Sequence, residues 1–342
     1  MSSAPGNDVI GAAPTEAATG AVLAVRDLSV EYIMERGTVR AVDSVSFDLD
    51  RGEFIGIVGE SGCGKSTLLF AIAQLLVPPA SITGGSVIFK GHNIVGLTDK
   101  QLAPVRWKDL SVVMQSAMNA LNPVKSIGAQ FADAMQAHGV TDKAQVADRS
   151  AEVLRMVGID PVHLNSYPHQ LSGGMRQRSM IAMALLLTPD LVIMDEPTSA
   201  LDVVAQRSLM AQIKELQDRL GFAVIFVTHD MSLVSHFSDR LMVMYAGRVE
   251  EFGPTRQVFD SPQHPYTIGL MEAFPSIRGP RVPLTGIPGS PPDLARPPAG
   301  CRFAPRCPQV MTRCTEESPE LYHVNGTLVR CFLHADGGDV GQ

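Results

Sequence analysis

The chain has 342 residues, 45% hydrophobic and 18% charged, with a formal net charge of −7. This is globular composition with ample core material, long enough for one large domain or one domain plus an appendage. The negative balance argues against a generally nucleic-acid-binding surface, so no nucleic acid is expected among the partners.

Residues 1–20 lack a basic n-region and a compact apolar stretch, so they read as a disordered leader rather than a secretory signal. The longest uncharged apolar run, residues 180–187, is far short of the ~20 residues a spanning helix needs. Together these place the chain in the cytosol, where structural disulfides are rare. Residues 22–34 and 42–50 alternate and read as strands. "EFIGIVG" (53–59) is a buried strand entering a glycine-rich loop. A helix follows over 65–76, stopped by Pro78 and Pro79, then a strand over 84–91. Residues 98–187 read as mainly helical; within them Val146, Val153, Leu154 and Val157 share one helix face, and Gly158 can end that helix. A buried strand (191–197), a helix (203–220), a second buried strand (222–230) and a hairpin (240–253) complete the pattern.

Strands alternating with helices indicate an α/β domain with a largely parallel sheet. It spans 21–254, with a helical subdomain at about 98–187. Proline then becomes dense and periodicity fades, so a boundary is placed near 254–262. The remainder, 255–342, reads as an irregular tail.

"GESGCGKST" (59–67) fits the phosphate-loop pattern G-x-x-x-x-G-K-[ST] between a predicted strand and a predicted helix. Gly59 opens the pattern and Ser61 lies within it. The glycines let the backbone wrap phosphates, and the amides of Gly62, Cys63, Gly64 and Lys65 can face an anion at a helix N-terminus. Lys65 neutralises the β- and γ-phosphates. Ser66 offers a hydroxyl to Mg²⁺, and Thr67 offers one to phosphate. The strand ending at Asp195 and Glu196 puts two carboxylates at the ligand-binding edge of the sheet. Asp195 is expected to hold Mg²⁺ through water, and Glu196 to polarise the attacking water as general base. "LSGGMRQR" (171–178) sets Ser172, Gly173 and Gly174 before a helix, a second anion site. One nucleotide rarely needs two such sites. A dimer resolves this, each such loop capping the γ-phosphate held by the partner.

The ordered set of "GESGCGKST", Gln115, "LSGGMRQR", "LVIMDEP", "SALD" (199–202) and "THD" (228–230) resembles the nucleotide-binding subunits of ABC transporters over about residues 22–253. The resemblance implies ATP as substrate with Mg²⁺. It makes Tyr32 the aromatic that stacks on adenine, and Gln115 the loop glutamine that senses Mg²⁺ and water near the membrane subunit. Asp202 would organise the dimer contact, and His229 would be the switch histidine that reaches the γ-phosphate. "QSAMNALNP" (115–123), "SPQHPYTIGLMEAFP" (261–275) and "IPGSPPDLARPPAGCRFAPRCP" (287–308) resemble the ATPase subunits of oligopeptide and dipeptide importers, a subgroup shared with nickel and some oligosaccharide importers. That implies a second ATPase subunit, itself or a paralogue, two integral-membrane permeases and an extracytoplasmic binding protein. The chain would then sit peripherally on the cytoplasmic face of the membrane. The other reading is an ABC-type ATPase outside transport.

Four of the five cysteines, Cys301, Cys307, Cys314 and Cys331, lie in the tail with spacing C-x5-C-x6-C-x16-C. Structural zinc sites usually include a tight C-x2–4-C pair, and there is none here. A [4Fe–4S] cluster suits four such cysteines at least as well, zinc is the alternative, and free thiols are the third reading. Arg302, Arg306 and Arg313 are expected to offset thiolate charge. In some of the resembled peptide-importer subunits this tail holds an iron–sulfur cluster, which implies a metal-stapled C-terminal module.

Overall fold

A computed structural model describes residues 20–34, 37–115, 120–199, 201–273, 286–335 and 339–340. The reading of residues 1–19 as a leader, and part of the 115–123 and 261–275 stretches, therefore lie outside the described residues. Two sheets form the frame. β1 (Ala21–Met34), β2 (Gly37–Asp50), β4 (Ala80–Phe89) and β5 (His92–Asn93) make an antiparallel sheet in the order β2-β1-β4-β5. In the second sheet β3 (Phe54–Val58) lies between β8 (Ala223–Val227) and β9 (Arg240–Tyr245), parallel to both; β7 (Leu191–Asp195) and β6 (Leu110–Val113) continue the parallel run beyond β8. β3, β7 and β8 are buried at every position, as strands covered on both faces must be.

The core lies in two layers. One packs the helix α1 (Lys65–Ile72) and the antiparallel sheet against one face of the parallel strands, around Leu68, Leu69, Ile57 and Ile225. The other holds the helices of the 98–187 region from residue 127 onward and α6 (Val203–Leu220), around Phe131, Val153, Leu154, Leu209 and Ile213. That region contains α2 (Asp99–Leu102), α3 (Ile127–Ala137), α4 (Lys143–Met156) and α5 (Gly173–Ala184). The expected apolar face of α4 is buried at Val146, Val153 and Leu154, with Val157 just beyond its end, and Gly158 follows with φ +69°. The mainly helical reading of 98–187 missed β6. Four residues, LSVV, are too few for alternation to show, and their strand state comes from pairing with β7.

The tail corrects the expectation of an irregular appendage. β10 (Arg248–Pro254) pairs antiparallel with β9 and, on its other side, with β12 (Thr327–Val329), which pairs with β11 (Tyr322–Val324). The C-terminal region thus extends the main sheet. β13 (Asp339–Val340) adds a further short strand. Phe303 is buried in the main core, its ring centroid 5.3 Å from Tyr245 and 5.4 Å from Tyr266 of α7 (Pro265–Glu272). Burying one such aromatic contributes about 1.5–3 kcal/mol, so the tail packs onto the ATPase core instead of hanging from it.

Candidate nucleotide site

The phosphate loop turns at the end of β3 on three glycines. Gly59, Gly62 and Gly64 have φ of +150°, +78° and +103°. A Cβ at Gly59 would meet the Met244 carbonyl oxygen at 2.1 Å, and one at Gly64 would meet that of Ala41 at 2.1 Å. Backbone on that side therefore excludes a side chain at both positions. Lys65 is buried, and its Nζ donates to the carbonyl oxygens of Gly59 (2.8 Å) and Glu60 (2.9 Å). Burial pushes the Cys63 thiol up, partly countered by Lys65, so it is a neutral wall of the loop. Ser61 is exposed on the loop.

The end of β7 meets this loop. Ser66 Oγ donates to Asp195 Oδ1 at 3.1 Å. Asp195 is buried at the end of β7, and burial raises its carboxyl above the usual range despite the Ser66 hydrogen bond and Lys65. A buried carboxylate beside a serine hydroxyl is a hard-oxygen pair short of positive charge, which fits a divalent cation such as Mg²⁺. The next residue, Glu196, sits at φ +47°, a strained position for a non-glycine residue, and its N–H donates to the Val227 carbonyl of β8. That turn presents its carboxylate to two groups. Gln115 Nε2 donates to Glu196 Oε2 at 2.6 Å, and His229 Nδ1 lies 3.6 Å from Oε1. Gln115 follows β6 and His229 follows β8, so all three come from ends of adjacent parallel strands. Tyr32 joins the site through its hydroxyl, 3.1 Å from Thr67 Oγ1.

Ser172, Gly173, Gly174 and Asp202 are placed differently. Ser172 caps α5, its hydroxyl accepting from Met175 N–H at 3.2 Å. Asp202 caps α6, accepting from Ala205 N–H at 2.9 Å. Ser172 and Gly174 line a groove with Asp160, His163, Met175 and Leu201, and none of its lining residues belongs to the phosphate loop.

Cys301, Cys307, Cys314 and Cys331 line one small cavity with His264, Phe303 and Phe332. Burial pushes the Cys301 thiol to about 12 and that of Cys331 to about 11, and raises Cys307. Among the described residues no three His, Cys, Asp or Glu side chains form a ligand set. The expected charge compensation is corrected: Arg302 pairs with Asp43 at 2.6 Å, Arg306 with Glu60 at 2.7 Å, and Arg313 with Glu317 at 2.8 Å. The guanidiniums of Arg302 and Arg306 thus serve carboxylates of the ATPase core. Sequence reading missed Tyr266 and Arg306 as partners of the phosphate loop's Glu60, because residues 206 and 246 positions away leave no periodic or spacing signal.

A phosphate loop, a buried Ser–Asp pair and a carboxylate fed by glutamine and histidine, on a parallel sheet flanked by an antiparallel one, define an ATPase cassette of the ABC type. Residues 42–199 match the ABC transporter family model, and residues 250–314 match that of the oligopeptide/dipeptide transporter C-terminal region. The dipeptide transport ATP-binding protein DppD of Caldanaerobacter subterraneus is 40% identical over 319 residues, 92% of this chain and 98% of that protein. DppD of Bacillus subtilis is 44% identical, covering 91% of this chain and 94% of that protein. The oligopeptide transport ATP-binding protein OppD of Salmonella typhimurium is 42% identical, covering 91% and 93%. A dimeric post-hydrolysis structure of the ATP-binding cassette MJ0796 bound to ADP and Pi superposes with a TM-score of 0.62 at 30% identity, covering 68% of this chain and 99% of that one. The chain belongs to the ATP-binding subunits of the oligopeptide/dipeptide ABC transporter family.

Proposed function

We propose that this chain is the ATP-hydrolysing subunit of a peptide importer. The observation that carries the reading is the convergence of Gln115 and His229 on Glu196, beside the Ser66–Asp195 pair. Lys65 and the loop amides hold the β- and γ-phosphates. Ser66 and, through water, Asp195 would hold Mg²⁺, which would supply charge neutralisation at the phosphates. Glu196 takes the proton of the attacking water, Gln115 fixes the carboxylate's orientation, and His229 contacts the γ-phosphate. Tyr32 stacks on adenine.

Ser172, Gly173, Gly174 and Asp202 act across a dimer of ATPase subunits, on nucleotide held by the partner. The groove lined by Ser172 and Gly174 includes no phosphate-loop residue, which supports this, as does the dimeric form of MJ0796. Dimer closure on two ATP molecules drives two membrane permeases, and an extracytoplasmic binding protein delivers the peptide. No helix among the described residues is long and apolar enough to cross a membrane, in keeping with a peripheral place on the cytoplasmic face. Purified protein is expected to hydrolyse MgATP and to co-purify with integral-membrane partners. Persistent association with DNA or ribosomes instead would favour an ABC ATPase outside transport.

The finer reading of the tail is that Cys301, Cys307, Cys314 and Cys331 hold an iron–sulfur cluster. Their sharing of one cavity supports it. Anaerobic purification followed by an absorption spectrum and iron and sulfide analysis tests it. A colourless protein carrying stoichiometric zinc overturns it.

A further inference from the structure

The C-terminal region grips the phosphate loop at one residue, Glu60. Its backbone N–H donates to the Tyr266 hydroxyl at 2.9 Å. Its carbonyl accepts from Lys65 Nζ at 2.9 Å and from Cys63 N–H at 3.3 Å. Its carboxylate accepts a two-pronged pair from Arg306, Nη1 to Oε2 at 2.7 Å and Nη2 to Oε1 at 2.9 Å. The Arg306 side chain is only 5% exposed. Its other donors reach Tyr245 Oη (3.2 Å), the Pro288 carbonyl (2.8 Å) and the Ile287 carbonyl (3.2 Å), so all five N–H groups are used.

A carboxylate inside a loop built to receive a triphosphate is an electrostatic liability. Like charges in a partly dry site repel strongly, and the same carbonyl that belongs to this carboxylate's residue positions Lys65. A fixed guanidinium fork cancels that charge and holds its direction at once, which a lysine's point charge does less well. We propose that Arg306 is a positioning residue for nucleotide binding: by neutralising and orienting Glu60 it lets the C-terminal region set the affinity of the phosphate loop for ATP. Arg306 directly precedes Cys307, one wall of the cysteine cavity, so changes in that cavity reach the loop through one peptide bond.

The proposal rests on residues 59–67 being the nucleotide site, and the full-length chain tests the two separately. Lys65→Ala should abolish MgATP binding; binding at the native level would end the site reading itself, whatever Arg306 does. Arg306→Gln should raise the Kd and the KM for MgATP on the order of tenfold while kcat changes less than about twofold. Adding Glu60→Gln to that variant removes the uncompensated charge and should bring Kd most of the way back. A merely structural role for Arg306 predicts no such reversal. Native-like Kd in Arg306→Gln, or a double variant as weak as the single one, overturns the proposal. Should Arg306→Gln fail to fold by thermal melting, Arg306→Lys is read in the same way: a several-fold weaker Kd reversed by Glu60→Gln supports it, and no weakening or no reversal overturns it.

Discussion

The Gln115 side-chain amide donates a 2.6 Å hydrogen bond to Glu196 Oε2, although the residues lie 81 positions apart. Gln115 follows β6 and Glu196 follows β7, paired parallel strands that bring both side chains to one sheet edge. The bond fixes one carboxylate oxygen and leaves the other facing His229 at 3.6 Å. Removing the Glu196 carboxylate without changing shape is the sharpest test of its proposed role as base. Glu196→Gln is expected to slow steady-state MgATP hydrolysis by at least about 100-fold, while the Kd for MgATP stays within about threefold. Turnover at the native rate would show that the base lies elsewhere.

Asp195 should trade stability for function. Burial raises its folded-state carboxyl, with Glu196 adding to the rise and Ser66 and Lys65 opposing it. The folded state therefore holds the proton more tightly than the unfolded one, whose value is about 3.9. Stability from this group is full below that value and is lost as pH rises through the folded pKa. At neutral pH, with divalent cations chelated, Asp195→Asn should melt at a higher temperature than the parent. The gap should shrink as the medium is acidified towards about pH 4, and hydrolysis by the variant should be lost.

Gly64 tests the loop's steric logic. It has φ +103°, and a Cβ there would meet the Ala41 carbonyl oxygen at 2.1 Å. Gly64→Ala combines backbone strain with a clash against main chain and should cost about 2–4 kcal/mol in urea unfolding. Gly91, also at positive φ but with nothing within 4 Å, is the control. Gly91→Ala carries the strain alone and should cost about 1 kcal/mol.

Asp43 ties β2 to the tail. It accepts from Arg302 Nη2 at 2.6 Å, Arg248 Nε at 2.7 Å and Arg40 Nη1 at 3.3 Å. Burial works to raise its carboxyl, but the Arg248 hydrogen bond and the charges of Arg248, Arg302 and Arg40 outweigh it, and the net shift is downward. A depressed carboxylate stabilises the fold above the unfolded value of about 3.9 and loses that contribution as pH falls through the folded one. Asp43→Asn should therefore lower the melting temperature at pH 7, and the difference from the parent should close below about pH 4. A constant difference across that range would remove the ion pairs as its cause.

Much of the cassette was legible in the chain. β3, β7 and β8 appear as short apolar runs bounded by glycine or acidic residues, and α6 appears by the stripe of Leu209, Ile213, Leu216 and Leu220, the first three buried and the last half-buried. Gly59–Thr67, Asp195 and Glu196 stand on local patterns, because phosphate binding uses consecutive backbone amides and sits at strand ends. β6 was missed because four residues carry no period, and its partner lies about eighty positions away. The strands of the tail left no signal because β11 and β12 are three residues each: β12 exists by pairing onto β10, and β11 by pairing onto β12.

By itself, then, the sequence determined the phosphate loop, the acidic strand end and the α/β alternation, since each is a local arrangement of backbone freedom, charge or hydrophobic period. Tertiary structure alone decided which oxygen of Glu196 meets Gln115 and which faces His229. It also decided that Ser172 and Asp202 cap helices, and that Arg302 and Arg306 leave the cysteines to neutralise Asp43 and Glu60. The physical reason is the same throughout: a buried charge takes whichever opposite charge the folded packing brings within hydrogen-bond reach, and that distance has no counterpart along the chain.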